Sequence, residues 1–261
     1  MTLPTLLDFE VESVPWDGEF EIVQCKKALN PSVMYPVRYS LNPYGGCEHG
    51  CIYCFAPRYT HSDPAKWRVV RVKANIVDRL AKEIGNTEGT IGLGTVTDAY
   101  QAAEGRFRLS RMCLELIHSK GRSVFITTKS PLVLRDLDLL KDMDSTVAVS
   151  VSNPNERFCK MTEPGAPSFE ERLDTIRRLV DSGVKTCVFI APVLSSLEGR
   201  EEELARRLSE TGVKKVFIDN YMRRDTDYER LVRMGIDGSV EAERKVREAC
   251  LREGLELISE R

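Results

Sequence analysis

Three cysteines fall within eight residues of this chain, in the run Gly46-Cys47-Glu48-His49-Gly50-Cys51-Ile52-Tyr53-Cys54. Thiolates spaced C-x3-C-x2-C can hold three irons of a cubane 4Fe-4S cluster, which leaves the fourth iron without a local protein ligand. A cluster that only carries electrons normally has four cysteine ligands, so a compact set of three suggests an iron kept open for a small molecule to chelate. Cys47, His49, Cys51 and Cys54 also spell a Cys3His zinc set. Short zinc sites, however, pair two well-separated knuckles, and four ligands crowded into one short loop reach tetrahedral geometry poorly. Neither His61 nor His118 has metal-type spacing.

The elements that must position this loop alternate in type. Residues 37–42 read as a strand leading into the cysteines, residues 74–84 have helical spacing, and short β-branched runs follow at 90–96, 123–127, 146–150, 186–191 and 213–218. Helical stretches at 106–119, 131–141, 168–181 and 200–209 separate the later runs. Such alternation implies right-handed crossovers and a parallel sheet, an α/β fold of barrel or half-barrel type. Ser168 followed by Glu171 forms a capping box, and Gly183 stands just past the end of the same helix. The polar residues after each strand fall at one end of the sheet: the cysteines, then Thr97, Asp98 and Tyr100, Thr128 and Lys129, Ser150, Ser152 and Asn153, Pro192, and Asp219 and Asn220. In β/α barrels that end is where catalytic groups gather.

Composition limits the class. The chain has 261 residues, 42% hydrophobic, with a net charge of -2, enough for one substantial core and without a global basic field to recruit nucleic acid. No apolar run approaches a membrane span, and Asp8, Glu10 and Glu12 stand where a signal peptide carries positive charge. A cytoplasmic protein with no membrane partner is expected. In a reducing compartment a tight cysteine trio reads as metal ligands, whereas Cys25, Cys113, Cys159, Cys187 and Cys250 read as small hydrophobes or inert thiols.

The cysteine loop, with Tyr53 before its last cysteine, resembles the signature of the radical S-adenosylmethionine (SAM) superfamily. Asn42-Pro43-Tyr44-Gly45-Gly46-Cys47, Thr97-Asp98-Ala99-Tyr100-Gln101, Ile126-Thr127-Thr128-Lys129-Ser130 and Glu163-Pro164-Gly165-Ala166-Pro167 are similar to successive motifs of its spore photoproduct lyase-like (DNA repair photolyase-like) branch. The resemblance implies a partial (β/α)6 TIM-like barrel over residues 37–220; by their own residues, 1–36 read as an N-terminal extension and 221–261 as a charged helical C-terminal extension. It also implies a 4Fe-4S cluster, SAM chelated to the open iron, an external low-potential electron donor, and cleavage of SAM to a 5'-deoxyadenosyl radical that abstracts hydrogen from a substrate.

On this reading Cys47, Cys51 and Cys54 are the metal ligands, and Tyr53, Thr97, Asp98, Lys129 and Ser150 are cofactor-binding residues. Lys129 suits the cofactor carboxylate, Ser150 and Thr97 its ribose or amino-acid end, and Tyr53 the vicinity of the adenine. Without the resemblance, Lys129 is a solvated loop lysine and the hydroxyls are turn residues. Asp98 and Glu104 fit two roles equally, a contact to cofactor or substrate, or a carboxylate favoured at a helix N-terminus. Glu163 matches the family motif without a stated role.

Departures from the family pattern bear on the substrate. Ala99 and Ala102-Ala103 stand where proline is usual, and residues 94–101 lack the hydrogen-donating cysteine of true spore photoproduct lyases. Cys113, Cys159 or Cys187 would serve only if folding brings one to the mouth. The protein is therefore expected not to be a spore photoproduct lyase. Arg58, Lys66, Arg68, Arg71, Lys73, Arg79 and Lys82, with Tyr59 and Trp67 interleaved, suit nucleic acid, although a solvated helix face with buried aromatics is the simpler reading. The expected function is a radical SAM enzyme acting on an unidentified substrate, with nucleic acid as one class. The competing reading is a non-catalytic 4Fe-4S electron-transfer or binding protein.

Overall fold

The computed structural model describes residues 18–220 and 234–258, for Asn220 the backbone only. The readings that touch residues 1–17, with Trp16, and residues 221–233 and 259–261 lie outside the described residues.

Six of the strands expected from sequence form one parallel run: β3 (Tyr39–Leu41), β6 (Ile91–Leu93), β7 (Val124–Thr128), β8 (Ser145–Val151), β9 (Lys185–Val193) and β10 (Lys215–Asn220). Each pairs with the next of the six in chain order, as expected where sequential elements stay adjacent in space. Both flanks add to this sheet. β2 (Leu29–Pro31) pairs antiparallel with β3, and β11 (Glu256–Ile258) pairs parallel with β10, so the C-terminal segment read as helical carries a seventh parallel strand. A second sheet of β1 (Phe20–Val23), β5 (Val70–Lys73) and β4 (Tyr44–Gly45) lies beside the cysteine loop.

Side-chain alternation explains why both faces of the main sheet are buried. On one face Leu41, Leu93, Val124, Ile126, Val147, Val149, Val188, Ile190 and Val216 join the main core under the helices. On the other face Phe125, Ala148, Cys187 and Phe217 form a separate apolar plug with Val37. Met34, from the loop after β2, and Ile258 of β11 pack against this same plug. Elements from opposite ends of the strand order thus meet round one inner cluster, so the sheet curls, although its terminal strands β2 and β11 are not paired with each other.

The helices run α1 (Ala56–Tyr59), α2 (Ile76–Glu83), α3 (Ala102–Phe107), α4 (Leu109–Ser119), α5 (Leu137–Asp142), α6 (Glu156–Thr162), α7 (Phe169–Asp181), α8 (Glu201–Ser209) and α9 (Val240–Arg252). The capping box at Ser168 and Glu171 is present, and Gly183 has the positive φ of 77° that a helix terminus favours. Three boundaries differ from the sequence expectation. The stretch 106–119 is broken at Arg108, which has φ 53°, because the buried Glu104 carboxylate accepts the N–H groups of Ser110 (2.9 Å) and Arg111 (3.2 Å) and restarts a helix there. The stretch 131–141 begins as a 3-10 turn over Pro131–Asp136 before α5. The second parallel strand stops at Leu93, because Gly94 turns at φ 82°.

Candidate functional site

Beyond the apolar plug the inner face of the sheet becomes polar and opens into a cavity of about 470 Å³. Cys47, Cys51, Tyr53, Cys54, Thr97, Asp98, Lys129 and Ser150 all line it, so every residue assigned to the site from sequence borders one space. Asp219 from β10, Ser40 from β3 and Phe189 from β9 complete the wall, and Phe55 and Tyr59 stand at its exposed rim. Burial pushes the Cys51 thiol up to about 12, the Cys47 thiol well above its ordinary value and the Cys54 thiol upward. The Lys129 ammonium pulls Cys51 and Cys54 the other way, which places a positive charge beside two of the three thiols.

The cysteine loop is held by its backbone. The Cys47 N–H donates to the Trp67 carbonyl (2.8 Å), and the Gln101 side chain spans the same cysteine, accepting from the Glu48 N–H (2.9 Å) and donating to the Gly46 carbonyl (3.2 Å). The Glu48 carboxylate in turn accepts the Ala103 N–H in the first turn of α3 (2.8 Å). On the far side Gly165 donates to the His49 carbonyl (2.9 Å) and Ile52 donates to the Thr162 carbonyl (2.9 Å). Gly46 must be glycine, since its φ is 78° and a Cβ there would stand 2.7 Å from the Trp67 carbonyl oxygen and nearer still to that of Val69. Gly165 likewise leaves room for the Glu48 carbonyl.

Lys129, Ser150 and Tyr53 form a chain: the Lys129 Nζ donates to Ser150 Oγ (3.1 Å) and lies 5.9 Å from the centre of the Tyr53 ring. Asp98 fixes this corner. Its carboxylate accepts from Thr128 Oγ1 (2.7 Å), the Lys129 N–H (2.7 Å) and the Tyr100 N–H (2.8 Å), tying the loop after β6 to the end of β7. His49 joins it with Nδ1 at 3.5 Å from Asp98, and burial drives the imidazole down to about 4 although Asp98 opposes this. The Thr97 hydroxyl donates to the Tyr44 carbonyl (3.3 Å), while Asn42 Oδ1 accepts the Val96 N–H (3.0 Å).

Glu163, flagged by its motif but left without a role, is the hub behind the cavity. Its buried carboxylate accepts from the Tyr53 hydroxyl and from Ser152 Oγ (2.8 Å) and pairs with the buried guanidinium of Arg172. Burial pushes the carboxyl upward, and Arg172 pulls it back. Arg172 also donates to the carbonyls of Pro167 (2.9 Å) and Ser150 (3.3 Å), joining α7 to the end of β8. Arg172 and Gln101 were missed from sequence, since each sits in a helix-forming stretch or beside a motif whose spacing says nothing of long-range partners.

Glu104, by contrast, caps α4, pairs with Arg135 at 2.6 Å and accepts from the Tyr44 hydroxyl, and it does not line the cavity. Of its two roles the structure supports the helix-terminal one. The basic stretch divides rather than forming one helix face: Trp67 is buried, Lys73 donates inward to the Asn42 carbonyl (2.7 Å), and Arg58, Lys66 and Arg68 remain exposed.

The family profile of the Radical SAM superfamily matches residues 41–208, the cysteine loop and the sheet that surrounds the cavity. The chain belongs to the radical SAM superfamily. This radical SAM enzyme is 35% identical over 180 residues to an uncharacterized protein of Methanocaldococcus jannaschii, covering 67% of this chain and 68% of that one. It is 23% identical over 185 residues to the Radical SAM Nalpha-GlyT isomerase of a Pseudomonas phage, covering 67% of this chain and 38% of the isomerase. Its fold matches a spore photoproduct lyase mutant solved with bound AdoMet and dinucleoside spore photoproduct, with a TM-score of 0.62 at 17% identity, over 91% of this chain and 68% of the other.

The superfamily implies SAM and a 4Fe-4S cluster, and the residues present fit both. Three free thiols, those of Cys47, Cys51 and Cys54, border one cavity, the number of protein ligands that a cubane with one open iron takes. The Trp67 indole N–H is buried without a hydrogen-bond partner among the described residues, in the small apolar group that contains Cys47 and adjoins Cys54. A buried donor of this kind needs an acceptor, and a cluster brings sulfurs to that group.

Proposed function

We propose that Cys47, Cys51 and Cys54 hold a 4Fe-4S cluster whose open iron takes SAM within the cavity, in a sheet curled as a partial (β/α)6 barrel. The observation that carries this reading is the meeting of all eight sequence-assigned residues on one cavity wall. When bound and reduced, the cluster and SAM together supply a 5'-deoxyadenosyl radical. The chain's own part is to bind, orient and shield. Lys129 offers its ammonium to the SAM carboxylate and Ser150 a hydroxyl to its polar end. Tyr53 is fixed through Glu163, so its position between two thiols is set from behind. Asp98 keeps the Lys129 backbone in place, and the plug below the cavity closes the inner end to water.

A nucleic-acid component is the substrate class with most support. Phe55 and Tyr59, with ring centroids 6.1 Å apart, stand exposed at the rim, where aromatic faces can receive a base. A fold-related lyase binds a dinucleoside. The spore photoproduct itself is disfavoured, because Cys113, Cys159 and Cys187 are buried away from the cavity and only the ligand trio lines it. Eight free thiols suit the cytoplasm, where an external low-potential donor would deliver the electron.

Anaerobic reconstitution tests the reading. The wild-type protein is expected to bind about four irons, to show an electron paramagnetic resonance signal that changes when SAM is added, and to form 5'-deoxyadenosine. Cys51→Ala is expected to lose all three properties. A wild-type cluster that reduces normally and ignores SAM would instead identify an electron carrier.

A further inference from the structure

Trp67 follows the 3-10 turn Pro64–Lys66, which Asp63 caps by accepting the Ala65 N–H (2.9 Å). Its backbone is committed in both directions: the N–H donates to the Pro64 carbonyl (3.2 Å) and the carbonyl accepts the Cys47 N–H (2.8 Å). Its indole is not. Trp67 is 6% exposed and packs with Cys47 and Ala56, with Cys54 and Val96 against the same group, and its Nε1–H has no acceptor among the described residues. Trp67 does not itself line the cavity, whereas Cys47, Cys54 and Val96 do, so the orphaned donor is sealed in the layer of side chains behind two of the thiols.

A buried aromatic donor normally finds a partner. The buried tyrosines of this interior obey that rule: the Tyr44 hydroxyl donates to Glu104, that of Tyr53 to Glu163, and that of Tyr100 to Asp136 (3.0 Å). The other unpartnered buried side-chain atom among the described residues, Glu201 Oε1, begins α8 and does not line the cavity. The cysteine loop also commits its own donors elsewhere, the amides of Cys47, Glu48, Ile52 and Cys54 donating to Trp67, Gln101, Thr162 and Cys51 respectively. Two amides from outside the ligand run reach the thiols instead, that of Asp98 at Cys47 and that of Ala56 at Cys54. An indole N–H packed with these same two cysteines continues a pattern in which neighbouring elements supply the donors that the loop does not.

We propose that the Trp67 indole N–H donates to a sulfur of the cluster held by Cys47, Cys51 and Cys54 and thereby favours its reduced form. The inference rests on the function proposed above and deepens it, assigning a residue that sets how readily the site takes its electron. Reduction moves one electron from a low-potential one-electron donor onto the cluster, which gains one negative charge, while the proton stays on the indole nitrogen. A hydrogen-bond donor fixed in place before the electron arrives stabilises the more negative state more strongly, and does so best in an apolar group where water cannot screen it. The turn supplies that fixity, since the Trp67 backbone is tied to Pro64 on one side and to Cys47 on the other. One residue therefore holds the loop through its carbonyl and tunes the bound group through its ring.

The test uses the anaerobically reconstituted full chain and a redox titration with viologen mediators, read by the electron paramagnetic resonance of the reduced cluster. Trp67→Phe keeps an aromatic ring and removes the N–H. At equal iron content its one-electron reduction equilibrium is expected to weaken about tenfold, a fall in midpoint potential of about 59 mV. Wild-type protein carrying tryptophan labelled with the heavy nitrogen isotope in its indole should show a nuclear coupling from that nitrogen to the reduced cluster. Trp67→Phe should lack the coupling, which separates Trp67 from Trp16, the other tryptophan of the chain. An unchanged midpoint in the loaded variant would overturn the proposal and leave Trp67 a packing residue. Should Trp67→Phe load no cluster, the protein carrying the benzothiophene analogue of tryptophan at this position, with sulfur where the N–H stood, is titrated in its place against the same expectation. Absence of the nitrogen coupling from the loaded wild-type protein would also overturn the proposal. A wild-type protein that assembles no cubane at all would defeat the underlying function instead, so the two failures are distinguishable.

Discussion

The two halves of the inner sheet face are built from the same strands and serve opposite ends. Toward the strand N-termini Phe125, Ala148, Cys187 and Phe217 make a dry plug; two positions further along their strands, Thr127, Ser150, Phe189 and Asp219 line the cavity. A period of two keeps both sets on one face. What changes along each strand is only side-chain chemistry, so the boundary between packing and reactivity is drawn within single strands rather than between domains. The plug needs volume and tolerates no water. The mouth needs fixed polar groups, and each is held by a neighbour: Lys129 by Ser150, Tyr53 by Glu163, and Asp98 by Thr128.

The largest separation of the two halves should come from Glu163→Ala. Removing the carboxylate leaves the Arg172 guanidinium buried without its partner, which typically costs about 4 kcal/mol, and frees the Tyr53 hydroxyl. Denaturant unfolding should show that loss, and iron loading should fall with it. Glu163→Gln keeps an acceptor for Tyr53 and should recover part of the loading. If Glu163→Ala is as stable as wild type and loads normally, the hub behind the mouth has no energetic weight.

Phe217→Ala addresses the other half. Truncating a buried phenylalanine costs about 3 kcal/mol through lost burial and the cavity left behind. For a chain of this size that is a fall in melting temperature of roughly 6–12 °C. The signal from a loaded cluster should be unchanged below the transition, because Cys47, Cys51 and Cys54 all lie outside this plug. A variant that melts as expected but also loses the cluster would mean that plug and mouth are one cooperative unit.

Lys129→Ala should be milder for the fold and specific for the cofactor. The ammonium is half-buried at the cavity wall, so its attraction for a carboxylate is less screened than at an open surface, and its removal is expected to weaken SAM binding about tenfold, or about 1.4 kcal/mol. Equilibrium binding of SAM to the loaded protein measures this. An unchanged affinity would return Lys129 to the status of a structural neighbour of Ser150 and Tyr53.

Much of this was legible in the sequence because local patterns carry it. Short β-branched runs separated by amphipathic helices specify a parallel sheet, and a parallel sheet brings all its strand ends to one side, so residues as distant as Cys47, Thr97, Lys129 and Ser150 converge. The capping box at Ser168 is a four-residue signal and was readable for the same reason. The partners of Glu163, Gln101 and Glu104 were not. Tyr53 and Glu163 are 110 residues apart, and Glu48 and Gln101 are 53 apart, so no local pattern encodes either pair. The break at Arg108 was hidden because helical spacing continues across it, and the acceptor that splits the helix is a side chain four residues back. β11 was hidden by brevity: three residues after a long charged helix carry too little periodicity to announce a strand.

The smallest effect is expected at a position remote from both halves, and it calibrates the others. Ser168 caps α7, the helix that carries Arg172 to the hub, by accepting the Glu171 N–H at 3.2 Å, while the Glu171 carboxylate accepts the Ser168 N–H at 2.7 Å. Ser168→Ala should cost about 1 kcal/mol near neutral pH. The Ser168 hydroxyl and N–H hold the Glu171 carboxyl below its ordinary value of 4.5. A carboxyl with a depressed folded pKa contributes stability that is present above its unfolded pKa and is lost as pH falls through the folded one. The difference between wild type and Ser168→Ala should therefore be constant above about pH 5 and shrink below about pH 4.5, where protonation removes from the wild type part of what the variant already lacks. A difference that stays constant through acidification would show that the cap works through the serine hydroxyl alone, with the carboxylate a bystander.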